Sequence, residues 1–155
     1  MSQPTKTYAH DGELFFFELP ISWSYGVETD GTQVFWHQPS GTGTLRVSSL
    51  TAQRISDAGT PASTVLNKAS QVSTRPDGVA WTNYRVASSE QGEDTIIFWW
   101  ELAQFIAPRY FRVAFFSFTI FAHEEVEPGT RAMLERLNVL LPRTRFGALQ
   151  AFERG

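Results

Sequence analysis

Hydrophobic and polar residues alternate in short runs along most of this chain, and turn residues separate the runs. A period of two is typical of β-strands that bury one face. Polar turn signals such as Asp30-Gly31 and Arg75-Pro76-Asp77-Gly78 divide the runs, and Ser88–Asp94 is expected to be a polar loop. The pattern predicts six strands: Glu13–Leu19, Thr32–His37, Thr44–Leu50, Val79–Ala87, Thr95–Phe105 and Arg109–Ala122.

Two segments have the period of a helix instead. The first begins at Thr60, a good N-cap, with Pro61 suited to the first helical position. The second begins near Pro128 after an acidic stretch and ends at Pro142. Each carries one apolar stripe, formed by Ala62, Val65, Leu66 and Ala69 in the first and by Met133, Leu134, Leu137, Leu140 and Leu141 in the second. Both helices are therefore expected to pack on the sheet.

The segment Thr95–Ala122 is the most apolar part of the chain and holds ten of its 22 aromatic residues. Its two halves are rich in aromatic and β-branched residues, which favour a buried β-hairpin. A turn at Ile106 and Ala107 would place Glu101 opposite Arg112, so that the two charges neutralise each other across the strands.

A transmembrane helix is the alternative interpretation of this segment, because 28 residues could cross a bilayer core of roughly 30 Å. Glu101, Arg109 and Arg112 argue against it, since each would cost about 2.5 to 3.5 kcal/mol near the membrane centre. Pro108 would also interrupt the helix. The sequence therefore predicts no membrane span.

Composition excludes several classes of function. The formal net charge is −3, which provides no basic surface for nucleic acid. The absence of cysteine removes disulfides, thiolate metal sites and thiol nucleophiles together. The first residues lack the apolar core of a secretory signal, so a cytoplasmic location is expected.

No catalytic motif accompanies the apolar pattern. His10 lies in the polar leader and His37 ends a strand, while His123-Glu124-Glu125 lacks the second histidine of a helical zinc site. Glu101 has two interpretations, a buried acid in a pocket or the cross-strand partner of Arg112, and the second is favoured. We expect neither an enzyme nor a bound cofactor or metal.

Adjacent strand residues point to opposite faces, so Trp99 and Trp100 cannot both be covered by the same helices. Because two short helices cover little area, one sheet face is expected to present aromatic side chains. The candidate binding residues are Trp99, Trp100, Glu101, Arg112 and Trp36.

Two stretches, Phe17-Glu18-Leu19-Pro20-Ile21-Ser22-Trp23 and Gly43-Thr44-Leu45-Arg46-Val47-Ser48, together with Val34-Phe35-Trp36, give the chain an F-x-L-P-x-x-W and G-x-L-x-V-S opening. This opening resembles the Mog1/PsbP-like superfamily. The resemblance implies a non-catalytic binding or assembly module, since Mog1 engages a small GTPase and PsbP supports the oxygen-evolving complex. It carries over no functional residue.

The predicted architecture is an α+β sandwich, with an antiparallel sheet of about six strands and two main helices packed on it. Residues 1–11 are expected to be a flexible leader, 12–142 a single domain and 143–155 a tail.

Three functions follow from this sequence. The first is a protein-interaction module that uses the aromatic sheet face or its rim to bind an unknown protein or a second copy of the chain. The second is a small-molecule or lipid-binding domain with an apolar pocket between sheet and helix. The third is a hydrolase that uses Glu101 and a histidine.

Overall fold

The computed structural model describes residues 4–10, 14–53, 66, 71–106 and 110–147. Within these residues, ten strands form two antiparallel sheets, and one α-helix packs against them. The three-stranded sheet has the order β1-β2-β10, and the seven-stranded sheet has the order β3-β4-β5-β9-β8-β7-β6. The strands are β1 (Thr5–His10), β2 (Phe15–Pro20), β3 (Trp23–Val27), β4 (Gln33–His37), β5 (Thr44–Gln53), β6 (Val72–Thr74), β7 (Ala80–Glu90), β8 (Glu93–Ile106), β9 (Tyr110–Phe121) and β10 (Arg145–Phe146).

The α-helix, α1, spans Pro128–Leu140, and short 3₁₀ turns lie at Ala122–Glu124 and Leu141–Arg143. Its predicted stripe is confirmed, because Leu137 and Leu140 are buried and Met133 packs against the same core. The described residues therefore hold one helix, where the sequence predicted two. The predicted helix from Thr60 lies outside the described residues, apart from Leu66.

The large sheet has two faces, which we call inner and outer. The inner face packs against α1 and the small sheet, and its core includes Trp100, Phe116 and Phe118. The outer face is the opposite side. A smaller buried cluster lies there, formed by Leu66, Ala80, Ala103, Phe111 and Val113. Apolar side chains on both faces explain why β8 and β9 show no strict alternation in sequence.

The predicted pairing of Glu101 with Arg112 is wrong. β8 and β9 pair Ile106 with Tyr110, so Glu101 lies opposite Phe115 and Arg112 opposite Gln104. Alternation along the strands then places the two charges on opposite faces of the sheet. The observed register instead brings the large inner residues of both strands onto one face, and that burial outweighs one ion pair.

Three further differences concern the extent and the number of the strands. The expected polar loop at Ser88–Asp94 is instead mostly strand, because Gln91 (φ 52°) and Gly92 (φ 82°) form a tight turn between β7 and β8. Trp23 begins β3, a strand that the sequence does not predict. The short β6 at Val72–Thr74 was not predicted.

The ends of the chain also differ from expectation. The sequence predicts a flexible leader over residues 1–11, yet Thr5–His10 pair with β2 as β1. Arg145–Phe146, assigned to the tail, pair with the other edge of β2. In both cases the phenylalanine-rich β2 supplies unpaired backbone groups at its edges, which polar strands can satisfy. In the described part of the chain no helix is long and apolar enough to cross a membrane.

Arg75 links the segment that follows α1 to the turn before β7. Its Nη1 donates to the carbonyls of Pro142 (3.0 Å) and Thr144 (2.6 Å), and the guanidinium also pairs with Asp77. We expect Arg75→Met to lower the free energy of unfolding by about 1.5 to 3 kcal/mol, because two partly buried carbonyls lose a charged donor. Urea denaturation monitored by tryptophan fluorescence measures this change.

Arg46→Met is the matched control, since Arg46 forms an exposed pair with Glu28, and such pairs contribute about 0 to 1 kcal/mol. Equal losses in the two variants would contradict the structural role of Arg75. The hydrogen bond from Arg75 holds the pKa of the Asp77 carboxyl below its usual value. The Asp77 carboxylate contributes to stability above the pKa that it has in the unfolded chain. This contribution is lost as the pH falls through the lower pKa that it has in the folded protein.

Candidate functional site

The outer face presents tryptophan at two separate places. Trp99 lies on β8 and is half-buried, with its ring stacked on Tyr84 of β7 (centroids 6.3 Å apart, planes at 19°). Trp36 lies on β4 and is also half-buried. The registers of β4 to β8 place both indoles on this side of the sheet. The sequence predicted that one sheet face would present aromatic side chains, and these two lie on it.

Small hydroxyl residues and Arg46 occupy the outer face between the two indoles. The strand registers align Trp36 with Thr44, Thr119 and Ile97, and they place Ser117 beside Trp99. Trp36 and Ile97 are three strands apart, or about 14 Å at the usual spacing between strands. The result is a shallow trough with a tryptophan towards each side.

Apolar side chains at the β8 end of the trough are open to solvent. Val86 is 41% exposed and Phe121 46% exposed. Phe121 stacks on His123 with an angle of 5° between the rings. We call Val86, Ile97, Trp99 and Phe121 the aromatic strip. Large apolar side chains grouped at a surface are typical of contact sites.

Glu101 is a buried residue of the outer face, 6% exposed, and it accepts a hydrogen bond from the hydroxyl of Tyr84. Thr82 lies opposite it on β7. This hydrogen bond joins Glu101 to the ring that stacks on Trp99. Glu101 therefore helps to fix the Tyr84 ring, and through it the ring of Trp99 in the aromatic strip.

Arg112 and Trp100 lie on the inner face, away from the other three candidate binding residues. Arg112 is 2% exposed and donates to the carbonyl of Gly147 (3.0 Å), and its burial lowers the pKa of the guanidinium. Trp100 is 1% exposed, and its indole N–H donates to the Asn138 side chain of α1 (2.9 Å). The structure gives both residues a place in the core.

The sequence did not predict a polar cluster between the small and large sheets. His10 of β1 is 7% exposed, and its Nδ1 lies 2.5 Å from Oε1 of Gln33. Its Nε2 lies 3.2 Å from Oγ of Ser49 on β5. These residues line an open cleft of about 550 Å³, with Asp30 and Tyr25 on its wall.

One sequence signal could have revealed this cluster. Asp11-Gly12 follows Thr5–His10 directly and is a pair typical of hairpin turns. It would have predicted that His10 lies at the end of a strand paired with the phenylalanine-rich β2. The partners Gln33 and Ser49 are distant in sequence, so only the tertiary fold could supply them.

The other two histidines have local contacts. Nδ1 of His37 lies 2.8 Å from Oγ of Ser40 in the following turn, and His123 stacks on Phe121. Glu101 lies on the outer face of β8, whereas His10 lies between the two sheets. The described residues do not form a cluster of three or more histidine, aspartate or glutamate residues that could hold a metal ion.

Comparison with known proteins shows similarity in structure alone. No protein-family model matches the chain, and no curated protein matches its sequence. The structure is similar to that of LpqN from Mycobacterium tuberculosis, a protein involved in cell envelope biogenesis. The identity is 12% and the TM-score 0.58, over 94% of this chain and 91% of LpqN.

A crystal structure of a protein from Bacteroides thetaiotaomicron is similar at a TM-score of 0.59 and 14% identity, over 92% of this chain. This chain spans about half (48%) of the length of that protein. Cyanobacterial PsbP from Synechocystis matches at a TM-score of 0.44 and 12% identity, over 92% of each chain, which is too distant to support an argument. The chain has the Mog1/PsbP-like fold that its opening sequence predicted. At these identities the similarity concerns the fold, and a fold hosts many functions.

Proposed function

We propose that the protein is an interaction module whose outer sheet face has a binding role without catalysis and binds a second copy of the chain. The observation that carries the proposal is the aromatic strip, in which Val86 and Phe121 are more than two fifths exposed beside the half-buried Trp99. Aromatic residues are enriched in protein interfaces, because they bury a large apolar area and lose little conformational freedom.

The charges of the outer face support a second copy as the partner. Among the described residues of this face, Glu101 is buried beneath Tyr84, and Arg46 is paired with Glu28 at 3.0 Å. The trough between the tryptophans carries hydroxyl groups and Arg46, whose charge is offset by the pair with Glu28. Two identical faces can therefore approach each other without repulsion between like charges.

The alternative function, binding of a small molecule between sheet and helix, has weaker support. The groove where α1 meets β7 and β8 is lined by Asn83, Trp100 and Asn138 and measures about 190 Å³. Pockets for small ligands usually measure at least about 300 Å³. The Trp100 indole also donates its N–H to Asn138, so this donor is already used within the protein.

Trp99→Glu tests the proposed function. We expect the native protein to associate as its concentration rises. We expect the variant to remain monomeric up to a concentration at least tenfold higher than that at which the native protein associates. The reason is that the substitution places a carboxylate in the contact, where it loses water without gaining a partner. Sedimentation velocity measures the association.

Val126→Glu is the matched control, because Val126 is 70% exposed and lies outside the sheet, between β9 and α1. Its association is expected to match that of the native protein. A native protein that stays monomeric throughout the series would overturn the proposal, and so would equal weakening by the two substitutions.

A further inference from the structure

The hydrogen bonds of the polar cluster in the cleft define which nitrogen of His10 carries the imidazole proton. The amide Nε2 of Gln33 donates to the carbonyl of Ala9 (3.0 Å), which identifies the other amide atom as oxygen. That oxygen, Oε1, can only accept a hydrogen bond. The His10 nitrogen facing it at 2.5 Å, Nδ1, must therefore carry the imidazole proton.

The neutral imidazole then has its lone pair on Nε2, which faces the Ser49 hydroxyl at 3.2 Å. A serine hydroxyl that donates to an imidazole, itself held by an acceptor on the other nitrogen, is the arrangement of an activated serine nucleophile. The ring of His10 also stacks on Phe15 (centroids 4.7 Å apart, planes at 23°), which limits its rotation.

The cleft gives a substrate access to this serine. Ser49 is half-buried and lines the opening of about 550 Å³. β4 pairs with β5 as far as Gln33 and Val47, so the edge of β5 at Ser48 and Ser49 opens onto the cleft. One of these two residues directs its backbone N–H away from β9 towards the open edge, which offers a donor for a developing oxyanion.

We propose that Ser49 is a nucleophile, activated by His10 as general base, that hydrolyses small esters in this cleft. The Asp30 carboxylate on the cleft wall disfavours anionic substrates, so the substrate class is an uncharged or cationic ester. Gln33 is a positioning residue, because it acts through the His10 ring. This activity is separate from the outer sheet face and goes beyond the proposed interaction.

The reaction consumes ester and water. Ser49 Oγ attacks the carbonyl carbon and its proton passes to His10 Nε2, forming a tetrahedral intermediate. The intermediate collapses as the bond to the alcohol oxygen breaks, and the alcohol leaves with that proton. Water then attacks the acyl-serine, again losing a proton to Nε2, which returns it to Ser49 as the carboxylic acid is released.

Labelling with a fluorophosphonate probe tests the proposal, because the probe phosphonylates activated serines and releases fluoride. We expect one adduct, located at Ser49 by peptide mass spectrometry, and slow hydrolysis of p-nitrophenyl acetate. His10→Gln should slow both reactions at least tenfold, since general-base catalysis typically contributes about 10²-fold or more. Ser89→Ala, an exposed serine of β7, should react as the native protein does.

A second measurement is independent of labelling. The ¹⁵N chemical shifts of the His10 ring should show the proton on Nδ1 in the native protein and a mixture of tautomers in Gln33→Met. Three results would overturn the proposal: a native protein without an adduct at Ser49, equal labelling rates in a folded His10→Gln protein, or a His10 ring protonated on Nε2 alone. Loss of self-association would not affect it, so the two proposals fail separately.

Discussion

Replacing Trp100 with alanine is expected to lower the free energy of unfolding by about 3 to 5 kcal/mol, the usual cost of removing a buried aromatic side chain. Trp100 is 1% exposed and lies in the inner core with Leu102 and Phe116. The substitution also removes the N–H donor of Asn138, at 2.9 Å. Urea denaturation followed by circular dichroism measures the loss without relying on tryptophan fluorescence.

Trp99→Ala is the matched control, because the same side chain is removed from the adjacent residue on the other face. Trp99 is half-buried, so we expect a loss of about 1 to 2 kcal/mol, in proportion to the smaller apolar area that it buries. A loss from Trp99→Ala equal to or larger than that from Trp100→Ala would show that the two faces are assigned the wrong way round.

Gly43→Ala is expected to cost about 2 to 5 kcal/mol. The φ angle of Gly43 is 77°, in a region where an alanine costs about 1 to 2 kcal/mol. The added Cβ would also overlap the ring of Phe118, lying 2.5 Å from its Cε1 and 3.1 Å from Cγ2 of Ile120. Phe118 is fully buried and cannot move aside without disturbing the core, which adds about 1 to 3 kcal/mol.

Gly41 provides the comparison. Its φ angle of 65° is similar, but an added Cβ would meet nothing within 4 Å. Gly41→Ala therefore carries only the backbone cost of about 1 to 2 kcal/mol. The difference in melting temperature between the two variants isolates the contact with Phe118, and identical melting temperatures would contradict it.

Much of the fold could be predicted because local patterns specify it. The alternation in β2 and β5, the stripe of α1 and the turn at Asp30-Gly31 each depend on residues close in sequence. The register of β8 and β9 could not be predicted from the charges alone. It depends on which large side chains meet Trp100 on the inner face, and that is decided by packing across several strands.

In the candidate site, too, the features that depend on neighbouring residues could be predicted, and those that depend on the register could not. The sequence predicted that Trp99 and Trp100 would face opposite sides, because alternation is local, and the structure confirms it. It could not place Arg112 in the core or separate it from Glu101, since both assignments follow from the register. The cluster of His10, Gln33 and Ser49 joins three strands, and the sequence signals only the place of His10 before a turn.

The most direct test of the proposed interaction uses the indole N–H signals in ¹H–¹⁵N NMR spectra recorded at rising protein concentration. If the outer face binds a second copy, the signals of Trp99 and Trp36 shift as the concentration increases. The signals of Trp23, which is 6% exposed, and of Trp100, whose indole N–H donates to Asn138, do not shift. Unchanged positions for Trp99 and Trp36 over the whole range would contradict the account.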